Sequence, residues 1–532
     1  MKAPIETRII DLLSNRRDRT GACIIDQSET LSWKDLHDRT RAAAAGFAAL
    51  GVGPGDRVAV WLPNRSAWLV AFFACAQLGA IAISVNTRFR HVEVGDLLRR
   101  SEAKLLVYWP GFKDIDFENI LSQCPAESLA KLQTIIAYTE DDATVPANVA
   151  GKAVMSWTDI LRSTPLQASA GTPDSLCVVF TTSGTTKAPK LVAHCQRNVL
   201  SHGANVARQY GLTPDDRFLL LPPFCGVYGF SSAMAALSAG TPLILATTWN
   251  PGQFAEMIDR HKVTHFTASN EAVAQLLDAN KDERPYPSVK FIVSANLNPA
   301  YADIAVRAAH RGICVIGLYG SSELHALFSH CDPAAPPEVR GRAGGTPGSA
   351  VAKVRMRDPE TGALRPVGEA GELEVLAPES RFMEYLNDPQ ATAAAFTSDG
   401  YFRTGDLAVL EPDGSFTYLG RMGDTLRLGG FLVAPAEIEE LLQEHPAVDA
   451  CQIVGVEHRD ALRPVAFVRL RAGRSTDEQT LIAYAADRIA KYKVPVRVFF
   501  IDEFPTTPSA NGTKIQKTRL REMAEERLKS QG

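Results

Sequence analysis

The stretch CVVFTTSGTTKAPK, Cys177–Lys190, decides how the rest of the chain is read. Cys177-Val178-Val179-Phe180 is short, apolar and partly β-branched, which predicts a buried strand. Behind it come the small hydroxyl residues Thr181, Thr182, Ser183, Thr185 and Thr186, interrupted by Gly184 and closed by Pro189 and Lys190. Hydroxyls and backbone N–H groups on a flexible loop, with an ammonium at its end, form a concave set of donors suited to a polyphosphate. By composition alone a Ser/Thr-rich surface loop is the plainer reading. The strand in front and the lysine behind favour phosphate. A Walker A loop is excluded, because TTKAPK follows Gly184 without a second glycine or a hydroxyl after Lys190.

The surrounding chain sets bounds on function. Its 532 residues exceed one hydrophobic core and predict two or more domains. A net charge of −4 gives no support for a nucleic-acid surface or a polybasic membrane patch. The nine cysteines are scattered without a CxxC pair, as for reduced thiols in a reducing compartment, so a cytoplasmic location is expected. The N-terminal MKAPIETRIIDLLSNRRDR lacks the apolar run of a signal peptide. Ala67–Val85 is apolar enough to suggest a membrane span, but Gln77 and the Leu78-Gly79-Ala80 break divide it into a buried helix and a strand.

Helix and strand patterns alternate from there. A helix is expected within Leu31–Ala49 after Ser32 as N-cap, then a strand at Val58–Trp61, with further strands at Val107-Tyr108 and Ile135–Ala137. Residues 139–172 read as surface connections, and Leu191–Leu200 as a helix entry. Strands follow at Phe218–Leu221, Leu237–Ala246, Val263–Ala268 and Lys290–Ala295, with helices at Phe254–His261 and Ala300–Arg311. The apolar strand from Cys314 runs into Tyr319-Gly320-Ser321-Ser322-Glu323. This alternation argues for an α/β architecture with largely parallel sheets. From Gly344 to about residue 376 the pattern changes to period two, which predicts a small antiparallel subdomain. Beyond it, Leu426–Val433 reads as two strands around a Gly-Gly turn, Pro435 opens a helix, and Ser475–Glu478 reads as a capping box.

The loop resembles the phosphate loop of the adenylate-forming superfamily: acyl-CoA synthetases, 4-coumarate–CoA ligases, firefly luciferase and peptide-synthetase adenylation domains. The usual pattern there is Ser-Gly-Thr-Thr-Gly-x-Pro-Lys, and Lys187 stands where the second glycine is usual. The departure adds a positive charge and removes a permissive backbone position. Tyr319–Glu323 resembles the family's Tyr-Gly-x-Thr-Glu, Thr404-Gly405-Asp406 its Thr-Gly-Asp, and Arg421 its ribose- and phosphate-contacting arginine.

The resemblance, which spans about residues 30–523, implies a large N-terminal domain of α/β sheets with a small β subdomain (1–422). A small mobile α+β C-terminal domain (423–532) would follow it. It implies that the loop residues Thr181–Thr186 and Lys190 hold ATP phosphates and that Tyr319, with Gly320 and Ser321, packs on adenine. Ser322 would reach the α-phosphate, Glu323 would hold Mg²⁺ and Asp406 would accept the ribose hydroxyls. Phe224, Cys225, Tyr228 and Gly229, with Ser294 and Ala295, would line the acid pocket; for Phe224, Tyr228 and Phe230 ordinary core packing is an equal reading. Cys225 replaces the family's histidine, so no imidazole gate can operate there. Gly423 would be the hinge, and Gly429 and Gly430 would line the pantetheine tunnel. Lys514 would be the catalytic lysine, with Lys517 as fallback.

The activity implied is a carboxylic acid–CoA ligase using ATP, Mg²⁺ and CoA, with no nucleic acid, no membrane span and room for a homodimer. Other readings are an adenylating enzyme that loads a carrier protein, an oxidative luciferase-like reaction, and a nucleotide-binding homologue without catalysis. The identity of the acid is not fixed by the sequence.

Overall fold

The helix–strand alternation of the first third becomes a parallel sheet because each apolar strand is buried on both faces. The computed structural model describes residues 6–140, 145–182, 189–296, 301, 303–358, 361–422, 426–429, 431–433, 435–459, 461–509 and 512–529. Two compact units emerge. One comprises Met1–Thr87, Val94–Thr181 and Leu191–Met422; the other comprises Arg88–Glu93, Thr182–Lys190 and Gly423–Gly532.

In the first unit, strands Arg57–Trp61, Ile81–Ser84, Leu105–Tyr108, Thr134–Ala137 and Lys152–Ser156 pair in parallel. Leu176–Thr182 joins the same sheet in parallel, through Val178 and Val179 opposite Ala82 and Ile83. Lys190–Cys195 and the short strand Glu384–Tyr385 extend it on that side. Helix Ser66–Leu78 is buried along its whole length and ends at Gly79, whose φ of 68° suits a residue without Cβ. Its Trp68, Phe72 and Phe73 pack with Phe180, Phe224 and Phe230 in the main core. Among the described residues no helix is long and apolar enough to cross a membrane.

The second sheet of this unit changes character along its width. Strands Ala22–Ile25, Leu243–Leu245, Phe218–Leu220, His265–Ser269, Phe291–Ala295 and Val315–Tyr319 lie parallel in that order. From Val315–Tyr319 onward the neighbours Ser329–His330, Gly344–Pro347, Phe416–Arg421, Phe402–Leu410, Ala370–Leu376 and Lys353–Arg357 run antiparallel. The period-two stretch after Gly344 is therefore antiparallel, but it continues the large sheet.

One local expectation holds for a plain physical reason. Ser32 caps helix Trp33–Ala49 through a reciprocal pair with Asp35, whose backbone N–H donates to Ser32 Oγ at 3.1 Å. Others are corrected. Residues 139–172 include strand Lys152–Ser156 and helix Trp157–Leu161, because Trp157 and Ile160 find buried places, the first against Phe47. Leu191–Cys195 is strand, with Leu191, Val192 and Ala193 buried, and the helix starts only at Gln196. Leu237 belongs to helix Val227–Ala239, leaving only Leu243–Leu245 as strand. The helix Glu478–Arg488 is capped by Asp477, which accepts from the Thr480 N–H, so Ser475 is no cap.

In the second unit, strands Leu426–Leu428 and Phe431–Val433 form a hairpin, and helix Pro435–Gln443 buries Ile438, Leu441 and Leu442. Val448–His458, Ala461–Leu470 and Arg497–Phe500 make a three-stranded sheet. Thr506–Ser509 pairs with Gly512–Ile515, and helix Lys517–Lys529, which the sequence reading did not anticipate, follows.

Candidate active site

The strand Val315–Tyr319 stands where the sheet turns from parallel to antiparallel, and its carboxyl end delivers the Tyr-Gly-Ser-Ser-Glu motif. Open α/β sheets bind ligands beyond the carboxyl ends of parallel strands. The turn that follows is tight. The Ala326 N–H donates to the Ser321 carbonyl at 2.8 Å, and Ser322–Leu324 form one turn of 3₁₀ helix. A Cβ on Gly320 would stand 2.3 Å from the carbonyl carbon of Ala326, so only glycine fits. His325 and Ala326 occupy the left-handed region with φ of 56° and 55°, a strain that persists only where surroundings fix it.

Two predicted nucleotide residues meet. The Tyr319 hydroxyl donates to Asp406 Oδ2 at 2.6 Å, and both are buried. The Tyr319 ring packs edge-on to Phe416 at 5.3 Å and beside Tyr418 at 5.6 Å. Asp406 sits on strand Phe402–Leu410, where its N–H donates to Thr404 Oγ1 at 3.0 Å, and it faces the backbone of Arg421 across the ladder. An ionised carboxylate so placed can accept two hydroxyls of a cis-diol.

Glu323 is 8% exposed. Its Oε1 accepts from the Tyr385 hydroxyl at 3.0 Å, and its carbonyl accepts from the Phe382 N–H at 2.7 Å. Sequence reasoning missed Tyr385, which sits on a two-residue strand carrying no motif. A buried carboxylate with one oxygen held by a neutral donor suits a hard divalent cation that shares its other ligands with phosphate oxygens. Ser322 is half-buried, and its carbonyl accepts from His194 Nε2 at 2.9 Å. Ser321 Oγ is buried without a hydrogen-bond partner among the described residues.

Among the residues expected to line an acid pocket, the Tyr228 hydroxyl donates between the carbonyls of Val293 (2.9 Å) and Ala268 (3.2 Å), on two adjacent parallel strands. Burial raises its pKa, so the phenol stays neutral. Ser294 and Ala295 lie beside it on Phe291–Ala295, and Ser294 Oγ is buried without a partner among the described residues. A Cβ on Gly229 would come within 2.3 Å of the Pro222 carbonyl oxygen, which explains the glycine. Cys225 is buried. Phe224, expected at the pocket mouth, is instead fully buried and stacked on Trp68 at 5.1 Å, a packing role.

Thr181 and Thr182 end the strand before the loop, and Lys190 begins the strand after it. Ser183, Gly184, Thr185, Thr186 and Lys187 lie outside the described residues, as do Gly423 and Gly430. Gly429 has φ of +57°, and a Cβ there would stand 3.0 Å from the Tyr492 Cβ. The backbone of Lys514 pairs with Thr507 in the hairpin. Lys517 Nζ is bound to Glu439 at 3.0 Å, where the same Oε1 also accepts the Ile453 N–H.

The sequence profile of AMP-binding enzymes matches residues 14–386, and that of the AMP-binding enzyme C-terminal domain matches residues 437–511. A 3-[(3aS,4S,7aS)-7a-methyl-1,5-dioxo-octahydro-1H-inden-4-yl]propanoyl:CoA ligase of Mycobacterium tuberculosis is 30% identical over 505 residues, covering 94% of this chain and 95% of that one. A sulfoacetate–CoA ligase of Cupriavidus necator is 31% identical over 499 residues, 93% of each. Among solved structures, an o-succinylbenzoate CoA synthetase from Bacillus subtilis superposes with a TM-score of 0.82 at 24% identity, covering 96% of this chain and 98% of that one.

Proposed function

The chain belongs to the family of AMP-binding enzymes, and from that premise we propose that it is a carboxylic acid–CoA ligase with its labour divided among the residues above. A carboxylate is a poor acyl electrophile, and its conversion to a mixed anhydride supplies a good leaving group. In the first step a carboxylate oxygen attacks the α-phosphorus of ATP. The bond to the bridging oxygen breaks, and pyrophosphate leaves with its electron pair. In the second step the CoA thiol gives its proton to water, its sulfur attacks the acyl carbon, and AMP leaves with the former anhydride oxygen.

Catalysis of this kind is mostly positioning and charge stabilisation. Tyr319 offers its ring to adenine, and Asp406 accepts the ribose hydroxyls. Ser322 bonds the α-phosphate, and the Thr181–Lys190 loop cradles the outer phosphates. Glu323 would hold Mg²⁺, which supplies neutralisation of phosphate charge when bound. Lys514 stabilises the developing charge of the first step; the engagement of Lys517 with Glu439 favours this choice over the fallback. Tyr228, Gly229, Ser294 and Ala295 line the acid site. Gly423 serves as the pivot of residues 423–532, and Gly429 and Gly430 lie along the thiol's approach.

The observation that supports this reading best is the joining of Tyr319 to Asp406 at 2.6 Å, with a buried Glu323 on the turn that follows Tyr319. The contact joins two residues 87 apart in sequence, which supports a shared adenine- and ribose-binding role for the pair. The test is ATP–pyrophosphate exchange over a panel of aliphatic and aromatic acids, followed by product analysis with CoA. Acid-dependent exchange and an acyl-CoA product are expected. Exchange without thioester would transfer the acyl group to another acceptor, such as a carrier-protein phosphopantetheine. No exchange with any acid would leave a nucleotide-binding protein without this chemistry.

A further inference from the structure

Behind the Ser321–Ala326 turn, three imidazoles lie against one another. His194 comes from strand Lys190–Cys195, His202 from helix Gln196–Gln209, and His325 stands two residues past Glu323. The rings of His194 and His325 are 3.7 Å apart at their centroids, and those of His202 and His325 are 5.2 Å apart with planes 22° from parallel. All three are buried, at 0%, 3% and 0% exposure.

The outward bonds of the stack are few. His194 Nε2 meets the Ser322 carbonyl at 2.9 Å, and His202 Nδ1 meets Ser380 Oγ at 3.0 Å. A carbonyl can only accept, so the His194 proton is on Nε2. Its Nδ1 and both ring nitrogens of His325 have no hydrogen-bond partner among the described residues. Unpaired buried donors are costly, so such a group calls for a return. The return is not metal ligation: among the described residues no cluster of His, Cys, Asp or Glu is arranged to hold an ion.

What the stack bears on is the turn. His325 holds a left-handed conformation that it does not favour, and its ring is wedged against His194. His194 in turn grips the peptide that joins Ser322 to Glu323. Lys190, four residues before it, closes the phosphate loop on the same strand. We propose that His194 is a positioning residue: with His325 stacked on it, its Nε2–H bond to the Ser322 carbonyl fixes the Ser322–Glu323 peptide and thereby aims the Glu323 carboxylate at the divalent cation that accompanies ATP. This rests on the reading of Glu323 as the cation's carboxylate. Groups that orient a metal-binding side chain cost about 10- to 100-fold in affinity when removed.

The test compares His194→Leu, which keeps bulk without a donor, with His194→Gln, which keeps an N–H. Mn²⁺ is titrated into each with a non-hydrolysable ATP analogue and followed by electron paramagnetic resonance, and exchange rates are measured against Mg²⁺ concentration. His194→Leu is expected to weaken Mn²⁺ about tenfold, with less than about threefold change in exchange at saturating metal, and His194→Gln to recover most of the loss. Unchanged Mn²⁺ binding in His194→Leu, or a His194→Gln as impaired as His194→Leu, would overturn the proposal. Should the leucine variant not fold, His194→Asn, whose shorter amide falls short of Ser322, replaces it with the same expectation. Glu323→Gln separates the premises. If it loses Mn²⁺ while His194→Leu does not, positioning alone fails; if it binds Mn²⁺ normally, the metal role of Glu323 fails and positioning with it.

Discussion

Replacing His202 with leucine tests how the imidazole stack bears on stability. Burial, the main cause, pushes the His202 pKa down to about 3, against an ordinary value of about 6.5 in the unfolded chain. Between those values the unfolded chain takes up a proton that the folded chain refuses. The unfolded state then binds more protons, so stability is intact above about pH 6.5 and falls as pH drops toward the folded value. One such group contributes about 1.4 kcal/mol per pH unit well inside the window, and about 2 kcal/mol between pH 7 and pH 5. His194 is likewise lowered to about 3 by burial, and His325 is pushed down first by burial and then by its two neighbours.

The leucine variant loses the Ser380 contact and begins from a different stability at pH 7. Its further loss on acidification should nevertheless be about 2 kcal/mol smaller than that of the parent. His265, lowered to about 4 chiefly by burial, contributes equally to both proteins and cancels. Urea unfolding followed by tryptophan fluorescence measures the difference. All six tryptophans precede residue 423, so the signal reports on the first unit alone. Acid losses equal within about 0.5 kcal/mol would mean that His202 titrates normally in the folded protein, which would refute its burial in the stack.

Tyr385→Phe removes the hydroxyl that donates to Glu323 Oε1. It should raise the Mg²⁺ requirement of exchange by roughly 10-fold, with little effect on the melting temperature. Lys514→Ala should nearly abolish adenylation but leave thioester formation from supplied acyl-AMP largely intact; equal loss of both steps would remove its assigned role. Gly423→Pro should block thioester formation while sparing pyrophosphate exchange, and an unimpaired second step would remove the pivot. Lys493 is buried between Glu437 and Glu93 in the second unit. Lys493→Met strands two carboxylates and should cost that unit about 3–5 kcal/mol, read as faster amide exchange in strands Val448–His458 and Ala461–Leu470.

What could be read beforehand was whatever local chemistry encodes. The Ser32 cap, the break at Gly79 and the motifs at Tyr319 and Asp406 each declare themselves within a few residues. The supports of the site do not. Tyr385 reaches Glu323 across 62 residues, and His194 reaches Ser322 across 128. Neither sits in a pattern of its own, because a hydrogen bond between distant segments leaves no periodicity in either. Lys152–Ser156 was missed for a related reason: a strand half open to water carries a weak apolar signal, and its place in the sheet is set by its neighbours Thr134–Ala137 and Asn148–Val149. Phe224 shows the opposite ambiguity, open to pocket or core by sequence. An aromatic beside a recognisable motif reads as part of the pocket until its neighbour Trp68, far back in the chain, claims it.

The burial of helix Ser66–Leu78 on every side also has a consequence for biosynthesis. Its neighbourhood is completed late: Asn64, just ahead of it, receives the Phe224 N–H across 160 residues. At about 5–20 residues per second, the ribosome needs roughly 8–30 s to deliver that partner. For that interval a greasy segment with two phenylalanines and a tryptophan has emerged without its permanent cover. The nascent chain should therefore be a client for a holdase early in translation, and its demand for one should end soon after the Phe224–Phe230 segment leaves the exit tunnel.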